Sequence, residues 1–196
     1  MVASAVVTPN LLTDPGYLFI APVGTAAPAN TVAGSIFTDS WPVAWLPLGA
    51  TENGSEFSYA TTVSPLNVEE FFDPIVQRVT ARMGHIAFNL ANWSLTNYRR
   101  SMNGGLAAMT AFSGTAGTSL FTVSPPAVGT EVRCAIGWES LDNTVRLVVN
   151  QTIQGGDVKM AFKKAPGMAV IPCSFQMEFP PGGQPFQLFS AGVARG

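Results

Sequence analysis

The chain holds few of the residue types that carry out catalysis or bind metal ions. Its only histidine is His85, and its two cysteines, Cys134 and Cys173, stand far apart in apolar stretches without a C-x-x-C spacing. A zinc site or a catalytic triad would need these single residues to converge by chance. We therefore predict no catalytic residue, no metal site and no cofactor, and we expect both cysteines to be buried free thiols.

The motifs of common enzyme classes are also absent from the sequence. It has no phosphate-binding glycine loop, no nucleophile elbow and no H-E-x-x-H pattern. Its carboxylates, such as Glu69 and Glu70, belong to no recognisable catalytic constellation. An enzyme is the weaker interpretation, and a structural or binding protein is favoured.

Composition indicates a single domain with a weakly charged surface. The 196 residues are 47% hydrophobic, enough for one core, but only 11% are charged, against about 25% in typical soluble proteins. No apolar run of about 20 residues predicts a membrane-spanning helix. Residues 1–15 carry no Lys or Arg, so the cationic start of a secretory signal is missing. We expect a chain made in the cytoplasm whose surface is covered by other protein.

The charges are divided unequally along the chain. Residues 1–77 hold seven acidic residues and no Lys or Arg, whereas residues 78–196 hold five acidic residues and all ten basic ones. Opposite charges on one chain suit a head-to-tail contact that repeats into rings or filaments. Alternatively, both sets are simply solvated. Tight nucleic-acid binding is disfavoured, although a wall of carboxylates would let DNA slide past without adhering.

Short segments rich in β-branched and aromatic residues, separated by Gly and Pro, predict a mainly β chain. The predicted strands are 17–22, 43–48, 56–63, 75–90, 131–138, 144–153, 158–162, 168–179 and 186–189. A helix is predicted within 92–103, with Ser94 as its N-cap and Leu95, Tyr98 and Met102 on one face.

These elements predict a single-domain β-sandwich or barrel over residues 1–196, with one short flanking α-helix. Residues 1–16 are expected to form an N-terminal arm, and residues 49–90 a long protruding hairpin and loop. Residues 104–130 are expected to form a loop segment of small residues, whose place the pattern does not assign.

The order of several motifs carries a resemblance to a known family. Residues 16–28 read GYLFIAPVGTAAP, and residues 45–54 fit the pattern W-x-x-L-G-x-T-x-x-G. An acidic segment at 68–74, an alternating strand, the helix and a late strand at 170–179 followed by Gly182, Gly183 and Phe186 complete the layout. This layout resembles the major tail protein, or tail tube protein, of long-tailed bacteriophages with non-contractile tails.

The resemblance implies a structural virion protein that is synthesised in the host cytoplasm. Its subunits would join edge to edge into rings, usually hexameric, which stack into the hollow tube that carries the genome to the host. The implied partners are further copies of the chain and the tape-measure, distal tail and tail-terminator proteins. Double-stranded DNA would pass transiently and without specific binding, and no membrane is involved.

The resemblance also suggests which residues lie between subunits or in the lumen. Acidic residues expected on or beside the long hairpin are Glu52, Glu56, Glu69, Glu70 and Asp73. Candidate partners across the stacking contact are Arg78, Arg82, Arg99 and Arg100, with Phe71 and Phe72 as apolar anchors. Ordinary core packing is an equal alternative for the two phenylalanines, and a solvated helix end is an alternative for Arg99 and Arg100.

Two other classes of protein fit the same pattern less well. One comprises other tube-forming or virion proteins, such as a secretion-system tube, a head-tail joining protein or a coat protein. The other is a carbohydrate-binding β-module that uses tryptophans as stacking platforms. Its candidate platforms would be Trp41, Trp45, Trp93 and Trp138, for which burial in a core is the alternative.

Overall fold

The computed structural model describes residues 15–66, 76–107, 112–113, 119–159, 169–181 and 183–192. Within these residues the chain forms twelve strands and one α-helix. The strands are β1 Gly16–Pro22, β2 Val32–Ala33, β3 Ile36–Phe37, β4 Leu46–Gly49, β5 Thr51–Leu66, β6 Val76–Leu90, β7 Phe112–Ser113, β8 Ser119–Leu120, β9 Cys134–Ser140, β10 Val145–Gln154, β11 Ile171–Met177 and β12 Phe186–Ser190. The helix α1, Leu95–Ser101, follows β6. The prediction of a mainly β chain with one short helix is confirmed.

Eight strands form one antiparallel sheet in the order β4-β1-β9-β10-β11-β6-β5, with β12 also paired to β10. β11 and β12 follow each other along the same edge of β10, since Met177 lies opposite Thr152 and Phe186 opposite Val149. The remaining strands form two small ladders, β2 with β3 and β7 with β8. The second ladder lies within 104–130, so the prediction that this whole segment is a loop is wrong. This arrangement is consistent with the expected β-sandwich or barrel.

The main core lies inside the curled sheet, because side chains of β1, β9 and β10 pack with those of β6 and β11. Alternation along each strand sends one set of residues inward, such as Leu18 and Ile20 of β1. Cys134 and Cys173 are buried there as free thiols, as predicted. Burial raises the pKa of Cys134 to about 11, and burial together with Cys134 raises the pKa of Cys173 to about 12. Both therefore stay protonated and unreactive at neutral pH.

A second, smaller core covers the outer face of β1, β9 and β10. Its lid is the segment 26–45, called here the cover segment. Trp45 is only 3% exposed, and its Nε1 donates to the carbonyl of Ala26 at 2.9 Å. Trp41 stacks on Phe19 with ring centroids 4.5 Å apart. Both tryptophans approach Gly137, where a Cβ would lie 2.4 Å from the Trp41 ring, so this strand position requires glycine.

The helix begins where the sequence predicts and ends earlier. Ser94 is the N-cap, and its Oγ accepts a hydrogen bond from the Asn97 N–H at 3.1 Å. Helical residues stop at Ser101 rather than Asn103, because Asn103 adopts a positive φ of 58° that turns the chain away.

The buried face of the helix differs from the prediction. Its buried residues are Asn97 and Ser101, whereas the predicted face is only partly buried. The Asn97 side-chain amide donates to the carbonyls of Leu48 and Asn92, both at 3.0 Å. The helix is therefore fixed to β4 and the preceding turn by a polar side chain, which the apolar spacing of Leu95, Tyr98 and Met102 does not reveal.

Several strand boundaries also differ from the predictions. The strand predicted at 43–48 begins only at Leu46, because residues 43 and 44 form a turn, and the strand predicted at 131–138 begins at Cys134. Of the strand predicted at 158–162, residues 158–159 do not belong to a strand and the rest lies outside the described residues. The predicted arm 1–16 is described only from residue 15. In the described ranges no helix has the length and apolar character needed to cross a membrane.

Candidate assembly surface

The longest strands, β5 and β6, extend past the sheet as a two-stranded ribbon. The pairing of β11 with β6 ends at Gln176 opposite His85, and β5 and β6 continue beyond it paired with each other. We call residues 59–66 and 76–84 the hairpin arm. Its residues are exposed except Gly84. At about 3.3 Å per residue, the arm reaches about 23 Å from Tyr59 to Leu66.

A β-bulge divides the arm and changes which side chains share a face. Thr62 lies opposite Ala81 but Val63 opposite Val79, so Thr80 is an extra residue. The Thr80 hydroxyl donates to the Thr62 carbonyl at 3.2 Å. An extra residue reverses the alternation of the strand beyond it.

The bulge separates the two arginines of the arm. Arg82 lies opposite Thr61, on the face of the arm that continues the inner face of β6. Arg78 lies opposite Ser64, which points to the other face because β5 keeps its alternation. Simple alternation along β6 would place both arginines on one face, so sequence periodicity alone cannot separate them.

Both faces of the hairpin arm expose apolar side chains to solvent. One face carries Tyr59, Val63 and Val79, and the other carries Leu66, Val76 and Met83, the last 68% exposed. The charged residues of the arm are only Arg78 and Arg82. The outer edge of β5 has no strand partner among the described residues. An apolar ribbon with a free edge is typical of a surface that pairs with another protein.

A cleft of about 290 Å³ opens where the hairpin arm leaves the sheet. We call it the root cleft. Its lining residues are Tyr59, Arg82, Gly84, Met177, Glu178, Phe179, Gln184, Pro185 and Phe186. The Phe186 ring contacts Phe57 and Tyr59 of β5, with centroids 5.0 and 5.2 Å apart. Phe179 stands at the rim and is 72% exposed.

The two charged side chains of the root cleft differ in what they bind. Glu178 accepts from Gln151 Nε2 at 2.8 Å and from Arg133 Nε at 2.7 Å, and these hydrogen bonds lower its pKa against the effect of burial. Arg82 has no ion pair with any residue that the structure describes. The cleft thus has an apolar wall and one cation, Arg82, that forms no salt bridge with a described residue.

The predicted acidic residues are divided by the structure. Glu52 is half-buried and Glu56 is exposed, and with Asp157 they line a cavity of about 370 Å³ at the base of β5. Glu56 lies opposite Ala87, five strand positions and about 16 Å from Arg82. Five further candidates, Glu69, Glu70, Phe71, Phe72 and Asp73, lie outside the described residues.

The helix arginines act within the chain. Arg99 Nε donates to the Gly104 carbonyl at 2.6 Å. Arg100 donates to Asn97 Oδ1 and to the Leu106 carbonyl, both at 3.1 Å, and burial lowers its pKa. These bonds hold the loop after the helix, so neither side chain is the solvated helix end that sequence reasoning allowed. Of the four predicted arginines, the structure places only Arg78 and Arg82 on the hairpin arm.

The structure also keeps the single histidine away from the cysteines. His85 lies on the sheet face opposite the main core, and its Nδ1 is 2.9 Å from Ser58 Oγ. Cys134 contacts Thr152 inside that core. Within the described parts of the chain, no cluster of His, Cys, Asp or Glu has the arrangement to hold a metal ion.

Sequence reasoning missed a buried ionic network under the cover segment. Arg146 is 2% exposed, and its Nε donates to Glu139 Oε1 at 2.7 Å. Its Nη1 donates to Asp39 Oδ2 at 3.1 Å and its Nη2 to the Asp39 carbonyl at 2.6 Å. The guanidinium carbon lies 4.6 Å from the Phe37 ring centroid. The contact between Arg146 and Glu139 could have been predicted from the sequence, because the two residues flank a short turn between adjacent strands.

The carboxylate of Asp39 ties the network to the cover segment. It accepts from the backbone N–H groups of Asn30 at 3.0 Å and Thr31 at 2.7 Å. Burial acts to raise its pKa, but these hydrogen bonds and the charge of Arg146 outweigh burial and hold the pKa below its usual value. The ionised carboxylate is therefore the form that the fold stabilises.

We expect acid to weaken the fold through Asp39. Because its pKa is lower in the folded than in the unfolded chain, its contribution is complete above about pH 5 and is lost as pH falls below about 4. Asp39→Asn should lower the free energy of unfolding at pH 7 by about 1–3 kcal/mol and flatten this acid dependence. Urea unfolding between pH 7 and pH 2.5 measures both, and an equal acid slope in the variant would contradict the prediction.

Comparison of the chain with models of known protein families gives no match, and comparison with curated proteins gives no significant one. The features that bear on function are therefore those of the protein's own surface. That surface combines an exposed apolar arm, a sheet edge that pairs with no described strand, and a cleft at the base of the arm.

Proposed function

We propose that the chain is a structural protein that polymerises into stacked rings, hexameric by resemblance, and so forms the hollow tail tube of a bacteriophage. The observation that carries this proposal is the hairpin arm. Its exposed side chains include Val63, Val79 and Met83, and its edge has no partner among the described residues. A neighbouring copy would cover both, as expected for a subunit that buries much of its surface on assembly.

The two edge strands of the sheet differ in what they offer a neighbouring copy. At one end β5 presents a sixteen-residue strand, and at the other end β4 is four residues long and contains Pro47. Proline on a short edge strand limits pairing at β4, whereas the proline of β5, Pro65, stands next to the end of that strand. The β5 edge is therefore the longer pairing surface, and a ring would join it to a different surface of the next copy. A low content of charged residues, 11%, agrees with a surface that other copies cover.

The proposed partners follow from the same resemblance. Tape-measure, distal tail and tail-terminator proteins would contact the assembled tube. Double-stranded DNA would pass through it without specific binding, and Glu52, Glu56 and Asp157 are candidates for the acidic lining that repels phosphate. The alternatives are a secretion-system tube, a head-tail joining protein or a coat protein, which would share the assembly contacts.

Two of the four candidate tryptophans, Trp41 and Trp45, argue against carbohydrate binding. Trp45 is buried and Trp41 is packed between Phe19 and Trp45 in the second core. The Nε1 atoms of both donate within the chain, Trp41 to Glu139 at 2.6 Å. Sugar platforms need exposed ring faces, so these two side chains do not supply them.

Negative-stain electron microscopy of the concentrated protein, alone and co-expressed with its neighbouring genes, tests the proposal. We expect rings or hollow tubes of uniform width. Val79→Lys, on the hairpin arm, should abolish them because it puts a charge into the buried contact. Val128→Lys is the matched control, since Val128 is 99% exposed in a turn that is not part of the hairpin arm. A monomer under both conditions would count against the proposal and direct the search to glycan binding.

A further inference from the structure

The root cleft has the chemistry of a binding site for a side chain. Tyr59, Met177 and Phe186 supply its apolar wall, and Arg82 supplies a cation without an acidic partner among the described residues. Gly84 allows this wall to form, because a Cβ there would clash with the end of the Met177 side chain. At about 290 Å³ the cleft is slightly smaller than pockets for small molecules, which span about 300–1,000 Å³.

The cleft therefore suits an aromatic side chain with a carboxylate beside it. An aromatic ring would pack on Tyr59 and Phe186, and the carboxylate would pair with the Arg82 guanidinium. One segment of this chain has that composition. Residues 67–75 read NVEEFFDPI, with two phenylalanines, three acidic residues and no basic one.

We propose that the root cleft of one copy binds residues 67–75 of a second copy. Phe71 or Phe72 enters the cleft, and a neighbouring carboxylate pairs with Arg82. The inference rests on the proposed function, because it names one of the contacts by which copies would polymerise. The tip of one hairpin arm would then contact the base of the arm of the next copy. Such a head-to-tail contact uses two different surfaces, so it repeats from copy to copy and does not end at a dimer.

The geometry of the arm argues against the same contact within one copy. Leu66 and Val76 lie opposite each other where the described strands end, and Phe71 is five residues from each. Five fully extended residues span at most about 18 Å, whereas Tyr59 lies about 23 Å back along the arm. The nearer end of the cleft, at Arg82 opposite Thr61, lies about 17 Å back, so Phe71 of the same copy would reach only that end, and only if no residue were used to reverse direction.

A peptide of residues 66–76, LNVEEFFDPIV, tests the proposal on the full-length protein. Titration of a fluorescently labelled peptide should give a Kd of about 10 µM to 1 mM, because ordering a free peptide offsets much of the contact energy. Arg82→Glu should weaken binding about tenfold at low salt and less at high salt. The matched control Arg78→Glu, which changes the opposite face of the arm, should change the Kd less than about twofold.

Two peptide variants separate the parts of the contact. Replacing both Phe71 and Phe72 by Ser should remove binding, because the ring that enters the cleft is lost. A peptide with Glu70→Lys and Asp73→Lys should bind the Arg82→Glu protein better than the wild-type protein. Circular dichroism of the Arg82→Glu protein checks that its fold is retained.

The outcomes distinguish this inference from the proposed function. Absence of peptide binding to the wild-type protein, or equal binding to Arg82→Glu, overturns the inference even where tubes form. Specific peptide binding without any tube or ring supports the cleft contact and counts against the tail tube. Loss of binding in both arginine variants alike would mean that general charge, and not the cleft, attracts the peptide.

Discussion

Arg146→Met should lower the free energy of unfolding by about 3–5 kcal/mol, because it leaves two carboxylates near the core without their cation. Glu139 is 8% exposed in its side chain and Asp39 is 18% exposed, and both bond directly to the guanidinium. Methionine fills much of the same volume, so the loss would report the ionic contacts rather than a cavity. Urea unfolding at pH 7 measures it.

Arg133→Met is the matched control for this prediction. Arg133 also donates its Nε to a carboxylate at 2.7 Å, but its side chain is 46% exposed. Exposed pairs of this kind contribute about 0–1 kcal/mol. A loss in Arg146→Met no larger than in Arg133→Met would show that the buried network does not hold the cover segment to the sheet.

Trp45→Ala should lower the free energy of unfolding by about 3–5 kcal/mol. The ring is the most buried tryptophan of the second core, and it keeps Trp41 in place through an edge contact with centroids 4.8 Å apart. Its removal leaves a cavity and an unsatisfied Ala26 carbonyl. The cover segment would then be held mainly by Asp39 and Arg146.

Trp93→Ala gives the comparison for the same change of residue type. Trp93 is 44% exposed, so its replacement should cost about 1 kcal/mol or less. The double variant Trp45→Ala with Arg146→Met should be less destabilised than the sum of its parts, because both residues anchor one segment. Strict additivity would mean that the two contacts hold independent units.

The cover segment and the hairpin arm are stabilised in different ways. The cover segment is fixed by the rings of Trp41 and Trp45 and by a buried ionic network. The hairpin arm has exposed apolar residues on both faces and its own strand pairing. A two-stranded ribbon of this kind has little stability alone, so we expect variants of the arm to affect assembly more than unfolding.

The sequence by itself determined the class of fold and several local features. β-branched and aromatic segments between Gly and Pro predicted a mainly β chain, and Ser94 predicted the start of the helix. The apolar neighbours of Cys134 and Cys173 predicted buried free thiols. Each of these features depends on a residue and its near neighbours, so composition and spacing are sufficient to predict it.

Only the tertiary structure decided which residues meet across the fold. Arg146 and Asp39 are 107 positions apart, and their contact follows from the path of the cover segment. The bulge at Thr80 reverses the face of Arg78, and Asn97 rather than the apolar stripe anchors the helix. Such contacts gain their energy from partners distant in sequence, and a periodic pattern carries no information about those partners. For the same reason the root cleft, built from β5, β6, the end of β11, the start of β12 and residues between them, is visible only in the folded chain.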